Sequence, residues 1–170
     1  MSQIGWRALG GVQAGVIGGI AMLAFLAAAS MLRHHVWWET PNLIGSTFYG
    51  TRAFYGGPGR VTIAGGALHL VMSGVLGILF VAGFGGLRRR STMMLLGVAA
   101  GLGWYYVAHL VVWPRMNPLV PVYSWPPAVL AGHLLFGMCL GAAPRQPREV
   151  EPVPPPLDVN RGAAQSPDRP

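Results

Sequence analysis

Four long apolar runs, at residues 10–32, 61–86, 92–113 and 126–143, alternate with shorter polar or aromatic connectors. Each run reaches about 18 residues or more, enough for a helix to cross a hydrocarbon core of about 30 Å. All four are rich in Gly and Ala, as membrane helices tolerate and soluble helices seldom do. The pattern predicts an all-α transmembrane four-helix bundle over residues 1–143. The connectors agree with that count. "LRRRS" (87–91) reads as a tight charged turn, and "PRMNPLVPVYSWP" (114–126) is broken by prolines that cannot continue a helix. The first connector, 33–60, carries the aromatic pairs "WW", "FY" and "FY", suited to the headgroup level and leaving room for an interfacial helix. Beyond 143 the chain turns Pro-rich, and "PRQPREVEPVPPPLDVNRGAAQSPDRP" predicts a disordered tail over 144–170.

Composition strengthens the membrane reading. The chain is 52% hydrophobic and only 10% charged, against about 25% charged in soluble domains. Its net charge of +7 comes from arginines alone, with no lysine. Those arginines track the connectors instead of forming a patch interleaved with aromatics, so the lipid bilayer is the expected partner and nucleic acid is not. A second membrane protein stays open as a partner. Arg7, Arg88, Arg89, Arg90, Arg145 and Arg148 fall on one side; Arg33, Arg52, Arg60 and Arg115 fall on the other. The bias predicts a multi-pass membrane protein with both termini cytoplasmic. "FLAAAS" (25–30) offers small residues of the signal-cleavage kind, but the apolar run before it exceeds the usual 7–15 residues, so a retained span is expected.

An internal repeat organises the polar residues. "HHVWWETPN" (34–42) aligns without a gap on "HLVVWPRMN" (109–117), and "HLVMSGVLG" (69–77) aligns on "HLLFGMCLG" (133–141). His34 then matches His109, His69 matches His133, Trp38 matches Trp113 and Asn42 matches Asn117. The chain reads as two copies of one helical hairpin, 10–86 and 92–143, arranged as a parallel repeat. At 1.5 Å per residue, His34 and His109 fall about 6 Å inside the tryptophans, and His69 and His133 about 12 Å inside the same face. All four histidines are therefore expected in the outer half of the membrane. His69, Ser73 and Gly77 recur every four residues, as do His133, Gly137 and Gly141, so both histidines should face helix seams and not lipid.

Ionisable residues inside a membrane are by default functional candidates, and three uses compete here. In the first, each histidine hydrogen-bonds across helices to Ser73, Tyr105, Tyr106 or a backbone carbonyl and fixes helix register. In the second, His34, His69, His109 and His133 ligate haem b, Cu or Zn, since neutral imidazole is a common ligand. Short H-x3-H spacings and intramembrane carboxylates, which would support such a site, are missing from the sequence. In the third, the histidines with Trp104, Tyr105 and Ser73 line a pocket for a small molecule or lipid headgroup. Proton-coupled transport is disfavoured because Glu39, Glu149, Glu151, Asp158 and Asp168 all lie outside the runs. No catalytic set is discernible, and the single cysteine, Cys139, sits in an apolar helix where it should be inert.

"GGALHLVMSGVLGILF", "WPRMNPL" and "LAGHLLFGMCLG" together resemble a broad class of small bacterial four-helix inner-membrane proteins without known activity. The resemblance implies fold and location and brings no substrate, cofactor or catalytic residue. The expectation is a non-enzymatic structural or accessory membrane protein whose histidines pack the bundle. A haem- or metal-binding electron-transfer subunit is the alternative, with a small-molecule or lipid-binding pocket or transporter behind it.

Overall fold

The computed structural model describes residues 3–87 and 89–142. The tail expected at 144–170 lies outside the described residues, as do Arg88, Ala143 and the arginines that follow it. Among the described residues the chain is all helical. Helix α1 spans Gln3–Leu32, α2 Glu39–Tyr49, α3 Arg60–Phe84, α4 Arg90–Met116, α5 Leu119–Tyr123 and α6 Pro126–Gly141. A 3-10 turn, Gly50–Phe54, follows α2. Helices α1, α3 and α4 are long and apolar enough to cross a membrane. Helix α6 is apolar but only 16 residues long, about 24 Å.

The element bounds depart from the hydropathy pattern in three places. Helix α1 begins at Gln3, well before the apolar run, because helix formation needs only local backbone hydrogen bonds and not apolar side chains. The aromatic connector contains α2, whose Pro41–Ser46 stretch is buried. The prolines of the third connector do not stop α4 at Trp113. Residues Ala108–Val112 form a single π-type turn, and helix resumes through Pro114 to Met116. There the Trp113 amide bonds back to the Ala108 carbonyl, and the Arg115 guanidinium donates to the Val111 carbonyl at 2.9 Å. Loss of the Pro114 donor is thus absorbed in a turn already re-registered.

In lipid, apolar side chains gain little by leaving the acyl chains, so helices associate by close packing. Small residues provide it here. A Cβ at Gly77 would meet the backbone of Gly11 and Gly15, which joins α3 to α1; one at Gly97 or Gly101 would meet the backbone of Gly137 or His133, which joins α4 to α6. Larger residues join α1 to α6: Met22 and Leu26 pack around Gly132, and Phe136 packs on Gly18. Helix α2 lies on α3 through Gly45 and Gly65. Helices α1 and α6 are therefore the central pair, flanked by α3 and α4, which barely touch each other. Met22, Leu26, Phe80, Met93, Phe136 and Leu140 form the buried core.

His34 does not sit inside the membrane helix as the repeat suggested. Helix α1 ends at Leu32, and His34 is exposed with φ +61°. Its amide bonds to the Met31 carbonyl and the His35 amide to the Ser30 carbonyl, both at 3.0 Å. This is a Schellman ending, with His34 at the left-handed position where glycine is favoured. Beyond it, the His35 Nδ1–H donates to Glu39 at 2.7 Å and anchors the start of α2. A second polar lattice ties α2 down. Asn117 Nδ2 donates to Ser46 Oγ at 2.8 Å and to Thr47 Oγ1 at 3.1 Å. Asn42 donates to the Ala53 carbonyl at 3.2 Å and accepts from Thr62 Oγ1 at 2.6 Å.

Replacing Gly101 by Leu is expected to destabilise the protein by about 1–3 kcal/mol or more, because the new side chain has no room at the α4–α6 seam. Gly103→Leu, where a Cβ meets nothing within 4 Å, should leave thermal unfolding in detergent unchanged. His34→Gly should raise the unfolding midpoint, worth about 1 kcal/mol of relieved left-handed strain, and His34→Val should lower it.

Candidate functional site

The gap between α3 and α4 is not filled by side chains. At the α2 end it is a cavity of about 190 Å³ to which all six helices contribute. Volume alone says little, since an apolar cavity of about 150 Å³ can stay dry and still take up benzene. The lining is more informative. His69 comes from α3, His109 from the π-type turn of α4, and His133 from α6. Helix α2 closes the cavity from above with Glu39, Thr40, Leu43 and Ile44.

Tyr105 organises the histidines. Its ring, 8% exposed, stacks on His109 at 5.5 Å between centroids with planes 14° apart. It meets His133 edge-on at the same separation. Tyr105 and His109 are four residues apart and share a helix face, and His109 itself lies in the π-type turn that begins at Ala108. Such turns frequently occur where a helix re-aims a side chain at a functional site.

The hydrogen bonds of the rings decide what they offer. His69 Nε2–H donates to the Gly19 carbonyl of α1 at 3.2 Å. His133 Nδ1–H donates to the Val129 carbonyl one turn earlier in α6, at 2.8 Å. A carbonyl only accepts, so each ring spends its N–H there, and a neutral ring keeps its other nitrogen as an acceptor. His69 Nδ1 and His133 Nε2 are those acceptors, on rings that line the cavity. Ser124 Oγ, also in the lining, is buried without a hydrogen-bond partner among the described residues.

The mouth carries charge. The Arg33 guanidinium lies 4.5 Å from the Trp125 ring centroid, a cation–π contact. It has no carboxylate partner among the described residues, where the single ion pair joins His35 to Glu39. The contact places Arg33 over Trp125, at the rim of the cavity. Nothing local to Arg33 signals that contact, because Trp125 lies on the far connector.

Of the residues expected to form a site, His69, His109, His133, Trp104, Tyr105 and Ser73 all line this one cavity. His34 does not, being occupied as the end of α1. Among the described residues no group of three or more His, Cys, Asp or Glu is placed to hold a metal ion. Arg33, Trp125 and Ser124 were not singled out from the sequence.

No family model matches the chain, and no curated protein or solved structure is significantly similar to it. What stands is a small helical membrane protein with several long apolar helices.

His69→Leu removes the α3–α1 bond to Gly19 and should cost about 0.6 kcal/mol, at most about 2, in detergent unfolding. Asn117→Leu removes the donor to the Ser46 and Thr47 hydroxyls and the acceptor of the Leu119 amide at the start of α5, 3.2 Å away, and should cost about 1–3 kcal/mol. The larger loss at Asn117 is the outcome that separates the two.

Proposed function

We propose that this protein is a non-catalytic, multi-pass membrane protein that holds a small molecule in the histidine-lined cavity. The observation that carries this reading is the convergence of His69, His109 and His133, from three different helices, on one cavity, where His109 and His133 meet at Tyr105. Residues serving only as packing would be expected to exhaust their polar atoms on neighbouring helices. His69 does bind α1, so it packs as well as lines. Among the described residues His133 and His109 make no hydrogen bond to another helix: one bonds within α6 and the other stacks on Tyr105. Pockets between bundle helices, mostly apolar with a few convergent polar groups, are the common form of ligand site.

In this reading α6 is the fourth crossing, supported by its burial between α1 and α4. The chain is then two hairpins, α1–α3 and α4–α6, each closed by a glycine seam. Arg89 and Arg90 lie at the α3–α4 turn, and the arginine bias puts that turn on the cytoplasmic side and the cavity in the outer half. Haem or metal ligation is the weaker reading, because among the described residues the imidazoles are not placed to share one metal ion and no carboxylate orients their rings.

Protein extracted gently and examined by native mass spectrometry should carry a bound small molecule. Ala128→Phe, which fills the cavity beneath Trp125, should abolish that adduct, and the milder His133→Gln should reduce it several-fold. A protein that binds nothing, or an adduct indifferent to both substitutions, overturns the proposal. A Soret band or near-stoichiometric Cu, Zn or Fe would replace it with ligation.

A further inference from the structure

The upper cavity does not end at the histidines. A second cavity of about 210 Å³ lies along the same α3–α4 gap, and Leu76, Trp104 and Phe136 line both. The rest of its lining is apolar: Leu79, Phe80, Phe84, Ala100 and Leu140. The two spaces adjoin at Leu76, Trp104 and Phe136, and their far ends differ in chemistry. The α2 end offers a cation at Arg33, acceptors at His69 Nδ1 and His133 Nε2, and the unpaired Ser124 hydroxyl. The α3–α4-turn end offers only hydrocarbon.

We infer that the cleft binds one phospholipid, with a tail in the apolar slot between α3 and α4 and the headgroup beneath α2. The assignment rests on the cavity being a binding site. Three observations select a lipid and its headgroup. The polar and apolar ends are stacked along the helix direction, as in a lipid standing in a bilayer. The flanking helices α3 and α4 scarcely touch, so a chain can enter sideways from the membrane without parting a packed seam. At the rim, Arg33 suits a phosphate. In a neutral ring the nitrogens left by the carbonyl bonds, His69 Nδ1 and His133 Nε2, are acceptors, so they suit a headgroup that brings its own donors, a hydroxyl or a primary ammonium. Glu39 at the rim is engaged by His35 at 2.7 Å, which leaves Arg33 as the charge without an ionic partner. Phosphatidylglycerol and phosphatidylethanolamine meet these requirements; phosphatidylcholine, with no headgroup donor, does not.

Delipidated full-length protein in detergent, titrated with the three phospholipids of matched chains and with soluble glycerol 3-phosphate, tests this by native mass spectrometry. Phosphatidylglycerol and phosphatidylethanolamine should bind about tenfold more tightly than phosphatidylcholine, the worth of one or two buried hydrogen bonds. Arg33→Gln, on an exposed residue, should weaken both by about tenfold. Leu79→Trp, also on an exposed position, and Ala100→Trp should block the slot and weaken every lipid. Equal binding of all three phospholipids overturns the headgroup assignment. Glycerol 3-phosphate binding as tightly as the lipids, lost in Ala128→Phe and unaffected by Leu79→Trp, overturns the lipid while leaving the binding site intact. Binding of every probe unaltered by Ala128→Phe overturns the site itself.

Discussion

Two backbone-to-backbone seams set everything else in this molecule. Where Gly77 meets Gly11 and Gly15, and Gly97 and Gly101 meet Gly137 and the His133 carbonyl, helices approach closer than any side chain would allow. In lipid that proximity is the source of adhesion, because dispersion contacts and short polar contacts replace the missing hydrophobic drive. Each flanking helix, α3 or α4, is bound so closely to its own central partner that it cannot also pack on the other. The central pair, α1 and α6, is meanwhile held at the distance that Met22, Leu26 and Phe136 require. The cleft is the geometric remainder of those two different spacings.

The polar residues follow from the same arrangement. A histidine on an isolated apolar helix would be costly in hydrocarbon. Here His69 lies on the seam face of α3, next to the α1 carbonyls, while His133 reaches back to a carbonyl of its own helix. Each ring therefore places one N–H on a backbone carbonyl, with no carboxylate beside it among the described residues. Above them α2 acts as a lid held by Asn42 and Asn117, each 4% exposed and each hydrogen-bonded. Asn117 spans from the end of α4 to α2, so the lid joins two segments about 70 residues apart at the mouth of the cavity.

Much of this was readable in advance, and residue by residue the reason is clear. The run at 61–86 became α3 at Arg60–Phe84, and the i, i+4 series His69, Ser73, Gly77 did mark the face turned to α1. Both follow from helical periodicity, which is local. The connector at 33–60 was readable only as aromatic; that Pro41–Ser46 are buried depends on Gly65 of α3 admitting them. His34 misled because alignment with His109 places residues by register and takes no account of where a helix ends. The turn that absorbs Pro114 was equally invisible, since a π-type turn has no distinctive composition.

The apolar length of its segments and the spacing of small and imidazole residues along them were determined by this sequence alone, because helices in lipid are built from bonds between residues four apart. Which helices became neighbours, and that α3 and α4 did not, was decided only in the folded bundle. That choice compares packing distances between segments far apart in the chain. From it came the cleft, the meeting of two imidazoles, His109 and His133, at Tyr105, and the placement of Arg33 over Trp125.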